Sequence, residues 1–475
     1  MDFWESFRSL GIEIKTQLGM DWDHYSKPYN SRVPATPEVV ILPETIEQVS
    51  HAVRIIAGWR FDIQARSGGH SYASHSNGGV DGSAVIDLRK FQNIDLLEGG
   101  VFRVGGGVRL GKLAIAAFAM GHAALAHGTC PAVGVGGHFT NGGFGMLSRA
   151  WGLAMDHIIG LDVIMADGRL VRTSNSDNRL IFEVMRGAAD SFGIIVNFYL
   201  RTQPAPNIVV KWTVNVPEAM RSVKNAVEAF ELVQIFVNSP SIVDHRLGLV
   251  IFLKHDRFTL EGTYLGSVDE FHSTVLSGLL CCFRNKRGIE VRFHELGWME
   301  LLQAMAGDME LNVDSNNAER PCFFAKSAAV AHPGLSRYAL EEYFIYLLSN
   351  GARAPIDYFV GVQLYGGADS RITAYSINDS FEHRNATWMF QHYGFVKDGS
   401  SSTDFPDEGI RFVEGLNRAL GLEHGASSNY ADPSLDREKA VQLYYGGKLE
   451  RLIKLKRGLD PRNVFCHPQS IPLRI

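Results

Sequence analysis

Between residues 33 and 205 the chain alternates short apolar runs with amphipathic stretches, the pattern of strands interleaved with helices. After Pro43-Glu44, the residues Ile46, Val49, Val53 and Ile56 recur at helical spacing, which predicts a helix to about Gly58. Strands are expected at Phe61–Ala65, Ala84–Leu88 and Val101–Val104, and an alanine-rich helix at Leu110–Met120, stopped by Gly121. Asp167-Gly168 between Leu161–Ala166 and Leu170–Thr173 is a hairpin signal. Gly193–Leu200 reads as another strand, and Gln203-Pro204-Ala205-Pro206 as a linker.

The texture then changes. Longer strand-like runs are expected at Val209–Val216, Leu247–Leu253, Thr259–Leu265 and Tyr358–Leu364, with helices at Glu218–Val237, Asp269–Cys282 and Leu335–Leu348. That mixture suits a sheet with helices on one face. The chain closes with Asn429-Tyr430-Ala431-Asp432-Pro433 and a helix across Asp436–Arg457. Its 475 residues exceed what one core usually supports, so two domains are expected.

Composition narrows the partners. A net charge of -5 argues against nucleic acid or an anionic membrane surface. No stretch is long and apolar enough to span a bilayer, and the first residues lack the apolar core of a secretion signal. A cytoplasmic protein is therefore expected, or a secreted one should the native chain start elsewhere. The five cysteines (Cys130, Cys281, Cys282, Cys322 and Cys466) are odd in number and irregularly spaced, which argues against a disulfide framework or a zinc site; no metal is expected.

The 48 glycines exceed the usual share of roughly 7% and cluster between 66 and 145. One loop reads Arg66-Ser67-Gly68-Gly69-His70-Ser71-Tyr72. A second reads His127-Gly128-Thr129-Cys130-Pro131, followed by Gly134-Val135-Gly136-Gly137-His138 and Asn141-Gly142-Gly143-Phe144-Gly145. Glycine lets backbone amides approach a ligand closely, and runs of such amides form anion-binding concavities. Two such loops suggest a large phosphorylated cofactor, and the imidazole of His70 and thiol of Cys130 are nucleophiles that could hold it covalently. No G-x-G-x-x-G follows a first strand, so the site is not of the Rossmann type.

With RSGGHSY, HGTCPAVGVGGHF, NGGFG, GLAMDHIIG, NYADP and DPRNVF…PQSI in order, the chain resembles the berberine-bridge-enzyme-like flavoproteins of the vanillyl-alcohol oxidase superfamily, and within them the fungal oligosaccharide oxidases. The resemblance spans nearly the whole length. It implies an α+β architecture. A two-lobed PCMH-type FAD-binding domain would occupy 1–206, and a substrate domain with an antiparallel sheet under helices 207–420. A segment over 421–475 would return to the first domain.

It further implies FAD held by two bonds, from His70 to the 8α carbon and from Cys130 to C6 of the flavin. Ser67, Gly68, Gly69 and Ser71 would meet the pyrophosphate, and Arg66 would also belong to the cofactor site. Gly128, Val135, Gly137, His138, Gly142, Gly143 and Asn429 would line the rest of the cofactor. His138 has a second reading, as a satisfied core histidine.

On the substrate side the resemblance implies Tyr430 as general base, while Tyr72, Glu261 and Gln391 match groove positions and Phe359 occupies another with a changed residue. The family's acid partner for that base is Gln363 here, a neutral amide that can hydrogen-bond Tyr430 but cannot accept its proton. Phe359, Gly361 and Ala306 stand where the sugar oxidases carry a tryptophan, a glutamine and a tyrosine. His383-Arg384 keeps the local pattern, as scaffold or as substrate contact.

The leading expectation is a monomeric FAD-linked oxidase taking a hydride from a small molecule of specialised metabolism, by alcohol oxidation, desaturation or oxidative cyclisation, with dioxygen reduced to hydrogen peroxide. A carbohydrate oxidase that forms a lactone is the alternative. A non-redox flavoprotein isomerase is the third reading.

Overall fold

The computed structural model describes residues 2–284, 286–313, 320–374, 379–396, 404–421 and 424–474. Strands β1 (Glu13–Lys15), β2 (Val39–Leu42), β3 (Ile63–Arg66) and β4 (Ala84–Asp87) form a sheet ordered β1-β2-β4-β3, in which β2, β4 and β3 run parallel. The crossover between β2 and β3 is the helix Ile46–Trp59. Thr45 caps it by accepting from the Gln48 amide, and it buries Val49, Ala52, Val53 and Ile56.

Next in chain order come β5 (Ile94–Leu96), β6 (Val101–Gly105), β7 (Ala123–Ala124), β8 (Ile158–Ile164), β9 (Leu170–Ser174), β10 (Ile194–Arg201) and β11 (Gln203–Pro204). Five of these make an antiparallel sheet ordered β5-β6-β10-β8-β9, and β7 pairs with β11. The segment read as a linker is therefore tied down, because Gln203-Pro204 pairs with Ala124-Ala123 and the Ala205 amide donates to the His122 carbonyl at 2.7 Å. The helix before β7 runs Leu110–Gly121, and its left-handed cap falls on His122 (φ 45°) rather than on Gly121.

A seven-stranded antiparallel sheet follows: β12 (Val209–Asn215), β13 (Leu247–Lys254), β14 (Arg257–Tyr264), β15 (Glu290–Leu296), β16 (Phe323–Ala331), β17 (Asp357–Leu364) and β18 (Ala386–Phe395), ordered β15-β12-β14-β13-β17-β18-β16. Helices Val223–Val237, Arg337–Gly351 and Asp407–Ala419 cover one face. Period-two alternation sorts the strands between this face and the opposite one. In β17, Tyr358, Val360, Val362 and Leu364 enter the core, while Phe359, Gly361 and Gln363 point to a cavity. In β12, Val210, Trp212 and Val214 enter the core and Lys211 does not.

Two expected helices are broken. That over Glu218–Val237 starts at Val223, because Ser222 is extended and caps it through the Asn225 amide. The last one splits at Gly446 (φ 44°) into Arg437–Tyr445 and Leu449–Leu459.

Buried charged groups lock the layers together. The Arg149 guanidinium donates to the carbonyls of Gly366 (2.8 Å), Asp244 (2.9 Å), Leu247 and Ala368, and its burial pulls its pKa down to about 10. Arg384 reaches Asp156 at 2.5 Å and Asp379 at 2.9 Å, so the His383-Arg384 pair belongs to the scaffold. The C-terminal segment returns to the first sheet, where the Ile63 amide donates to the Val464 carbonyl at 3.0 Å.

Candidate active site

A cavity of about 610 Å³ separates the two glycine-rich loops from the bare face of the seven-stranded sheet. Ser67, Gly68, Gly69, His70 and Ser71 line it from one loop, and Gly128, Cys130, Gly137 and His138 from the other. The sheet contributes Glu261, Phe359, Gln363 and Gln391, and Tyr72, Asn429 and Tyr430 complete the wall.

The loops can approach each other only because they lack side chains. A β-carbon on Gly68 would lie 2.2 Å from the Gly134 nitrogen, and one on Gly134 would lie 2.1 Å from the Gly68 nitrogen. Gly137 is different: a β-carbon there would meet nothing within 4 Å and would project into the open cavity. Such a cradle fits a large flat group packed against bare backbone.

The hydroxyl oxygens of Ser67 and Ser71 accept from the amides of Gly136 (3.1 Å) and His75 (3.0 Å), so their own protons are free to donate. His138 Nε2 accepts from the Gly128 amide at 2.9 Å, and burial together with neighbouring His127 lowers its pKa to about 3. His138 is thus a satisfied, neutral histidine that also lines the cavity.

His70 is poised otherwise. Its Nε2 is buried with no hydrogen-bond partner, and Tyr29 stacks on the ring at 4.2 Å. Burial, aided by the Arg109 charge, lowers its pKa to about 4, which keeps the imidazole neutral and nucleophilic. Cys130 is a half-buried free thiol on the same cavity.

Tyr430 sits in the turn Ser428–Tyr430, anchored to the glycine-rich region by two bonds. Asn429 Nδ2 donates to the Asn141 carbonyl at 2.7 Å, and the Ser428 hydroxyl donates to Asn141 Oδ1 at 3.0 Å. Gln363 Nε2 donates to the Tyr430 hydroxyl oxygen at 2.8 Å. Burial raises the Tyr430 pKa, and this hydrogen bond works against the rise by stabilising the phenolate. The Tyr72 ring lies 5.8 Å from that of Tyr430, and its hydroxyl accepts from Gln391 Nε2 at 3.2 Å. Burial also raises the pKa of the Glu261 carboxyl, with Lys211 and Arg257 opposing.

Four residues expected at the cofactor lie off this cavity. Arg66 turns into the protein, donating to the Tyr25 and Ser76 carbonyls and to Asn77 and Asp87. Val135 is fully buried in the core and its amide donates to Val108. Gly142 (φ 97°) and Gly143 (φ 79°) are needed for backbone shape: a β-carbon on the first would strike Phe381 at 2.8 Å, and one on the second Ala154 at 2.6 Å. On the substrate side Ala306 is buried in the core, and its helix presents Ala304 and Met305 to the cavity instead. Lys211, Val250 and Phe252 also line the cavity; strand alternation places them off the core face but does not say that this face meets a cavity.

Residues 37–174 match the family described as FAD binding domain, and residues 427–472 the family described as Berberine and berberine like. A xylooligosaccharide oxidase of Thermothelomyces thermophilus is 30% identical over 98% of this chain and 93% of its own. The FAD-linked oxidoreductase dpmaF of Metarhizium anisopliae is 29% identical over 97% and 89%. Among solved structures, the glucooligosaccharide oxidase of Acremonium strictum superposes with a TM-score of 0.93 at 27% identity, covering 99% of each chain; its FAD is described as 6-S-cysteinyl, 8α-N1-histidyl. The chain belongs to the berberine-bridge-enzyme-like FAD-linked oxidases, a family of FAD-dependent oxidoreductases.

Proposed function

We propose that the cavity holds FAD through two covalent bonds, one from His70 and one from Cys130, and that the chain oxidises a hydroxyl-bearing carbon of a carbohydrate. Bound FAD supplies a hydride acceptor that dioxygen reoxidises with release of hydrogen peroxide. The chain's own residues do the rest. Ser67, Gly68, Gly69 and Ser71 donate to the cofactor's phosphates, and Gly128, Gly137, His138 and Asn429 shape its bed. Tyr430 takes the proton of the substrate hydroxyl, and Gln363 fixes the phenol and favours its ionised form. Glu261, Gln391 and Tyr72 hydrogen-bond the ligand's other hydroxyls, while Phe359 offers an aromatic face.

The observation that carries this reading is the 2.8 Å hydrogen bond from Gln363 to Tyr430, in the same cavity as the hydrogen-bonded pair Tyr72 and Gln391. The oligosaccharide oxidases among the relatives support the carbohydrate as substrate.

A second reading is favoured by the neutral Gln363 and by the apolar wall of Val250, Phe252, Phe359 and Met305: a less polar alcohol of specialised metabolism. Anaerobic mixing with cello-, chito- and xylo-oligosaccharides, and in parallel with a panel of polyketide and terpenoid alcohols, separates the two. The carbohydrate reading expects bleaching of the flavin by an oligosaccharide and peroxide release when air is admitted. Bleaching by the panel alcohols alone would replace it with the second reading. A ligand that perturbs the flavin spectrum without reducing it would return the isomerase.

A further inference from the structure

Lys211 is the sole lysine or arginine among the described residues that line the cavity. It lies on β12, on the face turned away from the Val210, Trp212 and Val214 core. Its Nζ donates to the Ala304 carbonyl at 2.8 Å, and among the described residues it forms no ion pair. An ammonium has three donors, so two remain for whatever enters the cavity.

An acid on that face is Glu261. In the β12–β14 register Lys211 faces Thr263 and Thr213 faces Glu261, which makes Lys211 and Glu261 diagonal neighbours on one side of the sheet. They feel each other's charge without bonding. A half-buried ammonium with two donors unfilled is costly unless a ligand completes it.

We propose that Lys211 is a specificity determinant that takes a carboxylate of the substrate, with Glu261 accepting from a hydroxyl next to it, so that the preferred substrate is an acidic sugar: a uronate-bearing oligosaccharide. The inference rests on the carbohydrate reading of the same cavity. A carboxylate forms charge-assisted bonds to the two free ammonium donors, where a neutral sugar offers only hydroxyl oxygens.

The test compares cellobiose with the same disaccharide carrying a carboxylate at its non-reducing C6, so that the oxidised end is identical. The holoenzyme is mixed anaerobically with each, and the Kd is read from the concentration dependence of flavin reduction. Wild type is expected to bind the acidic sugar about tenfold more tightly, the order of a charge-assisted hydrogen bond. Lys211→Met should bring the ratio to about one, and Lys211→Arg should keep it. Equal affinities in wild type, or a preference that survives Lys211→Met, would overturn the proposal.

Should neither sugar reduce the flavin, the carbohydrate reading falls, and Lys211 is judged on benzoate titrated against the flavin spectrum. Binding weakened about tenfold by Lys211→Met and kept by Lys211→Arg upholds Lys211 as a carboxylate receptor. No binding, or binding indifferent to both variants, removes it.

Discussion

Replacing Tyr430 with phenylalanine is expected to slow the limiting rate of flavin reduction by about 10²–10⁴-fold, the range typical of a lost general base. The substitution removes one hydroxyl and leaves the ring, the Ser428–Tyr430 turn and the two anchors to Asn141 in place. The fall should therefore appear in the rate constant more than in substrate affinity.

The pH dependence follows from the groups around the phenol. A free phenol titrates near 10, and burial lifts that of Tyr430 higher, while the N–H from Gln363 pulls it back. Little phenolate is present at neutral pH, so the rate in wild type should climb as pH rises from 7 to 10. Gln363→Leu deletes the donor and should push the climb to higher pH. Stopped-flow absorbance under anaerobic conditions measures all three proteins. Near-normal flavin reduction in Tyr430→Phe would remove the residue from the mechanism.

The second large effect is on stability. Arg384→Met is expected to cost about 3–5 kcal/mol, because it strips the partner from a buried carboxylate. The side chain of Asp156 is 0% exposed and pairs with Arg384 at 2.5 Å. Among the described residues it also accepts from the Leu153 amide at 2.8 Å, and the Arg186 charge acts on it from nearby. Asp379 is better protected, since Lys448 stays at 3.0 Å. Asp156 sits just before β8 and Arg384 just before β18, so the loss loosens the join between the five-stranded and seven-stranded sheets. Urea unfolding of the holoenzyme gives the value. Arg411→Met, at an exposed pair with Glu408, serves as control and should stay within about 1 kcal/mol. An Arg384→Met protein as stable as that control would show that the buried pair is dispensable.

The cofactor side of the site was legible because its signals are local. The loops at 66–72 and 127–145 carry their chemistry in consecutive residues, and His70 and Cys130 both line the cavity between them and the large sheet. The limits of that reading are equally local. Glycine density does not say whether a residue is bare toward an open cavity, as Gly137 is, or for its own backbone, as Gly142 and Gly143 are.

The substrate side depends on tertiary structure. Lys211, Val250 and Phe252 belong to strands whose core faces were readable, but nothing in a single strand tells whether its other face meets solvent or a cavity. Three strands of the large sheet also escaped. β16 holds Ala325, Ala328, Ala329 and Ala331, poor strand formers, and both it and β18 are buried almost throughout, which erases the alternation that marks a half-exposed strand. β15 is a polar edge strand whose only apolar signals are Val291, Phe293 and Leu296.

Attachment of the flavin through both His70 and Cys130 is the point on which the rest turns, and peptide mass spectrometry after acid precipitation tests it directly. The expected result is a yellow pellet that, on trypsin digestion, yields the His70 and Cys130 peptides joined through one FAD mass. In His70→Ala the flavin should remain on the Cys130 peptide alone, and in Cys130→Ala on the His70 peptide alone. Complete release of FAD into the acid supernatant of the wild-type protein would contradict it.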